Sequence, residues 1–169
     1  MLQINVIWRS HLTGKSSAVF PVHIPDFVYL CSMKNKRFLE CCCTDAAEAV
    51  EAMRGGAGRV ELCEDLPCGG VTPSRADIEA ALKAVNIPVN VLIRVRGGDF
   101  VYDETEIEAM IGSVRMCREL GVNGVVVGAL RADGSVDTEA VGRLMAEAQG
   151  LCVTFHRAFD ECAEPFRAL

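Results

Sequence analysis

"RVELC", at residues 59–63, is the stretch that decides the fold, because its two faces differ in polarity. Side chains of a β-strand alternate between opposite faces, so Arg59, Glu61 and Cys63 share one face and the intervening valine and leucine share the other. A face in bulk water would carry solvating lysine, serine or threonine. This one carries two opposite charges and a thiol, which raises the question of what it faces.

Composition restricts the class of protein. The 169 residues are half hydrophobic, enough for one domain with a substantial core. A net charge of −6 without a basic stripe argues against a nucleic-acid partner, and no apolar run is long enough for a membrane helix. The nine cysteines are odd in number, which predicts thiols in a reducing cytoplasm. Because no CxxC pair occurs, a structural zinc site is not expected.

The first 32 residues differ from the rest of the chain. Their apolar stretch is interrupted by Pro21 and Pro25, unlike the continuous apolar region of a signal peptide. Met33 precedes "KNKR" and the first strand pattern. We therefore expect residues 1–32 to be a disordered leader or a wrongly extended start, with a targeting or docking segment as the alternative. Residues 33–169 form the predicted domain.

From residue 37 onward, strand patterns alternate with amphipathic helix patterns. Helices are predicted to begin at Asp45, Ser74, Asp103 and Asp137, residue types that accept hydrogen bonds from a first helical turn. A fifth helical pattern begins in "ECAEPFRAL". Short connections predict parallel strands joined by right-handed crossovers. The predicted strands are 37–43, 58–63, 88–95, 123–128 and 151–156.

Two architectures fit this alternation: an open doubly wound sheet or a βα barrel. No GxGxxG follows the first strand, and an open sheet covered by helices is apolar on both faces. In a barrel, one face lines the interior. The fold class predicted is therefore α/β, a TIM-barrel-like (β/α)8 fold, here incomplete with about five parallel units. The polar residues and cysteines of this lumen face are Glu40, Cys42, Arg59, Glu61, Cys63, Asn90, Arg94, Arg96, Cys152, Thr154 and His156.

Three long stretches resemble the CutC copper-homeostasis family. They are "LECCCTDAAEAVEAMRGGAGRVELCEDLPCGGVTPS" (39–74), "PVNVLIRVRGGDFVYDETEIEAM" (88–110) and "VTFHRAFD" (153–160). The resemblance covers roughly residues 37–169. It implies a TIM-barrel-like, cytoplasmic protein with a role in copper handling, forming a homo-oligomer when full length.

The resemblance further implies a pair of metal ligands, Cys42 and Cys63. Both fall near the ends of neighbouring strands on the lumen face, and strands lie only about 4.8 Å apart. Thiolates are soft ligands that favour Cu(I). The alternative is that both are small buried residues packed near the barrel rim.

An enzyme acting on a small anionic metabolite is the second hypothesis. Carboxylates and a histidine near the strand ends suit proton transfer, while arginine binds carboxylate or phosphate in a bidentate manner. The alternative is a buried ion-pair network between Arg59 and either Glu61 or Glu40. The acid/base candidates are Glu40, Glu61 and His156, and Arg94 and Arg96 supply fixed positive charge for an anion. The resemblance to the CutC family implies that the same polar pocket includes Arg59, Asp99 and Arg157, which complete the anion-binding candidates.

Overall fold

Five parallel strands form one sheet, in the order in which they occur along the chain. The computed structural model describes residues 39–165. The strands are β1 (Glu40–Cys43), β2 (Arg59–Leu62), β3 (Val89–Leu92), β4 (Gly124–Val127) and β5 (Cys152–Phe155). The helices are α1 (Ala46–Arg54), α2 (Arg75–Ala84), α3 (Glu104–Leu120) and α4 (Thr138–Glu147), with 3-10 helices at Leu66–Cys68 and Arg157–Glu161.

The strand order distinguishes the two predicted architectures. A doubly wound sheet reverses its order at a switch point, which places helices on both faces. Here the order is sequential, so right-handed crossovers place successive helices on the same face. The prediction of a TIM-barrel-like arrangement with five parallel units is confirmed. Within residues 39–165 the sheet is not closed into a barrel.

Each strand is four residues long, shorter than predicted, and β3 illustrates why. It was expected to extend through residue 95 but ends at Leu92. Beyond it, the amide of Arg94 donates to the hydroxyl of Thr72, and its carbonyl accepts from the amide of Thr72. The backbone of Arg94 therefore forms hydrogen bonds with the loop after β2 instead of continuing β3. Arg96 lies outside the strand.

The helix starts follow the predicted caps. Asp103 accepts from the amide of Glu106, whose side chain returns a hydrogen bond to the Asp103 amide, completing a capping box. At α1, Asp45 accepts from the Glu48 amide, but the Glu48 carboxylate bonds to the amide and hydroxyl of Thr44 instead. The fifth helix was predicted to begin at Glu161, where the structure instead has the last residue of the 3-10 helix Arg157–Glu161, followed by non-helical residues 162–164; residues 166–169 lie outside the described part.

The main core lies between the sheet and its helices. Alternate strand residues such as Val60, Val91 and Val125 pack with the buried stripe of α3, including Met110 and Val114. The lumen face therefore points away from the helices.

Predictions for residues 1–32, and for the start of the first strand before residue 39, lie outside the described residues. No helix in residues 39–165 is long and apolar enough to cross a membrane.

Candidate functional site

An ion pair lies on the lumen face at the N-terminal end of the sheet. Arg59 and Glu40 are the first residues of β2 and β1 and lie opposite each other. The Arg59 Nε and Nη2 atoms donate to the two Glu40 carboxylate oxygens at 2.7 and 2.8 Å. This hydrogen bond raises the pKa of Arg59 despite its burial. The structure therefore contains the ion pair between Arg59 and Glu40 that was predicted as an alternative to an enzymatic role for these residues.

Glu61 lies next to this pair along β2. It is buried, and its Oε2 atom has no hydrogen-bond partner within residues 39–165. Burial raises the pKa of Glu61 to about 7; the negative charge of Glu40 also raises it, whereas Arg59 lowers it. Opposite Glu61 in β3, Asn90 is fully buried and accepts from Asn123 at 2.7 Å. We call Glu40, Arg59, Glu61 and Asn90 the lower layer.

An apolar layer follows toward the C-terminal ends of the strands. Cys63, Leu92 and Val126 form a separate cluster, with Leu66 of the first 3-10 helix packed against it. These side chains separate the lower layer from the polar residues at the strand ends. The predicted polar constellation is therefore two groups rather than one.

Beyond the apolar layer, Arg94 and His156 are both almost completely buried. Arg94 donates to the carbonyls of Cys68 (3.3 Å), Gly70 (3.0 Å) and Gly98 (2.6 Å), which ties together the loops after β2 and β3. His156 Nδ1 accepts from the amide of Ala158 at 3.1 Å, so a neutral ring carries its proton on Nε2.

Burial lowers the pKa of His156 to about 3, and the positive charges of Arg94 and Arg157 act in the same direction. The ring is therefore neutral at physiological pH. Its Nε2 atom is buried and has no hydrogen-bond partner in residues 39–165. This geometry fits a hydrogen-bond donor better than a general acid or base. We call Arg94, His156 and Arg157 the upper layer.

Phe100, which sequence reasoning did not select, lies among the upper-layer residues. The Cζ atoms of Arg94 and Arg157 lie 4.7 and 5.6 Å from its ring centroid, and the His156 ring centroid lies 5.0 Å away. Gly128 was also missed: a Cβ there would clash with the His156 ring. Strand alternation gives a signal for Gly128, because it places this glycine on the lumen face.

Arg96 and Asp99 are not part of either layer, which corrects the lumen-face placement of Arg96. The Arg96 guanidinium pairs with Glu106 at 2.5 Å and with Asp99 at 3.1 Å, and its Cζ lies over the Tyr102 ring. Asp99 also accepts from the Val101 amide, and these hydrogen bonds lower its pKa. Both side chains hold the loop after β3 against the start of α3.

The comparisons with known proteins agree with this architecture. The model of the CutC family matches residues 37–169. A CutC family protein of Porphyromonas gingivalis is 52% identical over 131 residues, which are 78% of this chain and 53% of that protein. The chain belongs to the CutC family. It spans about half the length of the curated CutC relatives it matches, including one from Klebsiella pneumoniae at 50% identity (77% and 53% covered).

Two solved structures are similar to this chain. A CutC protein of Streptococcus agalactiae, named for copper homeostasis, matches with a TM-score of 0.73 and 33% identity, over 78% of this chain and 66% of that one. A Burkholderia cenocepacia protein named as a phosphonomutase matches with a TM-score of 0.50 and 18% identity (78% and 64% covered). The second likeness concerns the fold alone.

The predicted CutC ligand pair lies on the lumen face but not side by side. Cys42 is exposed and lies opposite Glu61, whereas Cys63 is buried two residues after Glu61, just beyond the end of β2. The Cys63 Sγ atom lies 3.7 Å from the Cys43 carbonyl oxygen. Residues 39–165 contain no group of three or more histidine, cysteine, aspartate or glutamate side chains that could hold a metal ion.

Proposed function

We propose that the protein binds Cu(I) in a reducing cytoplasm, through the thiolates of Cys42 and Cys63, as part of copper homeostasis. The observation that supports this most directly is that Cys42 lies in β1 opposite Glu61 of β2, while Cys63 directly follows the last residue of β2 and packs with Leu92 and Val126. Cys42 is exposed and offers a point of entry for the ion, while Cys63 is buried beside Leu92. Membership of a family named for copper homeostasis supports the same proposal.

The offset between the two cysteines suits a shared ion better than a disulfide. With a strand spacing of about 4.8 Å and a rise of about 3.3 Å per residue, the two Cα atoms lie roughly 8 Å apart. A disulfide requires Cα atoms closer than about 7 Å. Two sulfurs on one metal lie farther apart than bonded sulfurs, because each metal–sulfur bond is about 2.3 Å long. A site with two soft ligands favours Cu(I) over hard cations.

The test is anaerobic competition for Cu(I) with a colorimetric chelator. We expect the Cys42→Ser, Cys63→Ser double variant to lose affinity by about 100-fold or more, beyond the usual effect of changing an outer-shell partner. Cys152→Ser is the matched control, because Cys152 is an exposed thiol on β5. It should bind Cu(I) like the unchanged chain. Equal affinity of the double variant and the unchanged chain would refute the proposal.

An enzyme acting on a small anionic metabolite is the second candidate function. One observation favours it: the upper layer presents the unpartnered Nε2 atom of buried His156 next to Arg157 at the strand ends. TIM-barrel active sites lie at this end of the barrel. Glu40 and Arg59 are bonded to each other at the opposite end and have structural roles in this proposal.

A further inference from the structure

In the upper layer, the guanidinium groups of Arg94 and Arg157 both lie next to Gly69. If Gly69 carried a Cβ, that atom would lie 2.5 Å from Arg157 Nη2 and 3.1 Å from Arg94 Nη1. Both guanidinium groups therefore border the space beside Gly69, and like charges near each other repel. No carboxylate within residues 39–165 forms an ion pair with either arginine. The positive charge of this cluster is therefore uncompensated by any ion pair in the described region.

The hydrogen bonds of Arg94 do not neutralise it. Its partners are three backbone carbonyls, which are dipoles and carry no net charge. They fix the guanidinium in place between the loops that contain Gly70 and Gly98. Its Nε atom is buried and has no partner in the described region. Arg94 is thus a rigid positive charge with one donor left unused.

His156 adds a second unused donor. The Ala158 amide occupies its Nδ1 atom, which leaves the proton on Nε2. The side chain is only 6% exposed, so this N–H is largely removed from bulk water. A buried donor without an acceptor is costly, and structures normally satisfy it with protein, water or ligand. An acceptor supplied by a ligand would satisfy this donor and also balance the charge of the arginines.

Arg157 differs from the other two because it is exposed. Its guanidinium extends across the buried Phe100 ring, with Cζ 5.6 Å from the ring centroid. No hydrogen bond or ion pair of its side chain occurs within residues 39–165. A guanidinium in this position can present two parallel N–H groups to an incoming carboxylate or phosphate.

We propose that Arg157, His156 and Arg94 form a binding site for a small oxyanion, the phosphate or carboxylate group of a small molecule. The oxyanion accepts hydrogen bonds from Arg157 and from Nε2 of His156, and Arg94 contributes fixed positive charge. The proposal rests on the second candidate function and names its ligand class. It is independent of the Cu(I) proposal, because no cysteine takes part.

The test is isothermal titration calorimetry of the full 169-residue chain at constant ionic strength. Three probes distinguish the ligand sources: inorganic phosphate, methyl phosphate and acetate. We compare the unchanged chain with Arg157→Gln and with Arg54→Gln, which removes the same charge from an exposed site on α1. Arg157→Gln should weaken the tightest probe by about tenfold or more, and Arg54→Gln should leave its affinity unchanged.

A second measurement locates the bound anion without altering a buried residue. The 15N signal of His156 Nε2 should shift when the tightest probe is added to the unchanged chain, with a smaller shift in Arg157→Gln at equal concentration. Three outcomes would overturn the proposal: no binding of any probe, equal affinities in the unchanged chain and Arg157→Gln, or binding without a His156 shift. None of these outcomes depends on Cu(I), so the two proposals can fail separately.

Discussion

The two polar layers of the lumen face differ in how their charges are balanced. In the lower layer, Arg59 is held by both oxygens of Glu40, so cation and anion occur together. In the upper layer, Arg94 and Arg157 lie close to each other and form no ion pair with a carboxylate in residues 39–165. Both layers are polar and lie on the same sheet face, but only the lower layer contains its own counter-charge.

This difference in charge balance is consistent with a structural role for the lower layer and with the proposed ligand-binding role for the upper layer. A buried ion pair contains its own counter-charge, whereas a buried donor without a protein partner is satisfied by ordered water or by a ligand. The positions agree with barrel architecture, in which the N-terminal ends of the strands serve stability and the C-terminal ends carry active sites. Glu40 and Arg59 begin their strands, and Arg94 and His156 follow theirs.

Breaking the ion pair should have the largest effect. Arg59→Met leaves the Glu40 carboxylate without its guanidinium in a mostly buried site, and we expect a loss of about 3–5 kcal/mol in the free energy of unfolding. Urea denaturation measures this loss. The double variant Glu40→Met, Arg59→Met should recover most of it, because no unpaired charge remains.

The matched control for this prediction is Arg54→Met. Arg54 pairs with Glu51 on the exposed surface of α1, so its removal should cost less than about 1 kcal/mol. If the Glu40 and Arg59 substitutions were simply additive, the lower layer would not act as a unit and the comparison between the layers would fail.

The next effect is the pH dependence caused by Glu61. Its folded pKa of about 7 lies above the ordinary 4.5, so the folded state binds its proton more tightly. The resulting stabilisation is fully present below pH 4.5 and is lost as pH rises through 7. Glu61→Gln lacks this dependence. The stability of the variant relative to the unchanged chain should therefore increase by about 3 kcal/mol between pH 4.5 and pH 7.5.

Urea titrations of both chains at several pH values in this range measure that difference. Comparing the variant with the unchanged chain cancels the titration of other groups. A constant difference across the range would mean that Glu61 is not held in a desolvated position, and that the lower layer is more open than the structure indicates.

The smallest effect tests the upper layer. Gly128→Ala places a Cβ in steric conflict with the His156 ring, which has to move, at a cost of about 1–3 kcal/mol in the free energy of unfolding. Gly112→Ala is the control: nothing lies within 4 Å of its Cβ position in α3, so alanine should stabilise the helix by about 0.5–1 kcal/mol. Equal effects would show that His156 is not packed against β4.

The sequence predicted the secondary structure well because its signals are local. Asp103 marked the start of α3, and the alternation in "RVELC" assigned the two faces of β2 correctly. Each signal depends on residues within about one helical turn, or on alternate positions of one strand. The stretch 151–156 likewise predicted β5 and placed His156 at its end.

The grouping of the polar residues could not be predicted in the same way. Arg94 and Arg96 appeared equivalent in sequence, yet one is buried among loop carbonyls and the other pairs with Glu106 at the start of α3. The difference arises because Thr72, 22 residues away, binds the Arg94 backbone and ends the ladder of β3. No pattern within the strand encodes that contact.

The sequence by itself determined the five βα units, the helix caps and the polar character of the lumen face, because each follows from side-chain spacing along a short segment. Only the tertiary structure decided which charges meet. It paired Arg59 with Glu40, offset Cys42 from Cys63 by two residues, and placed Arg157 beside Arg94 around Phe100. These contacts depend on strand register and loop packing, which bring together residues 19 to more than 60 positions apart in the chain.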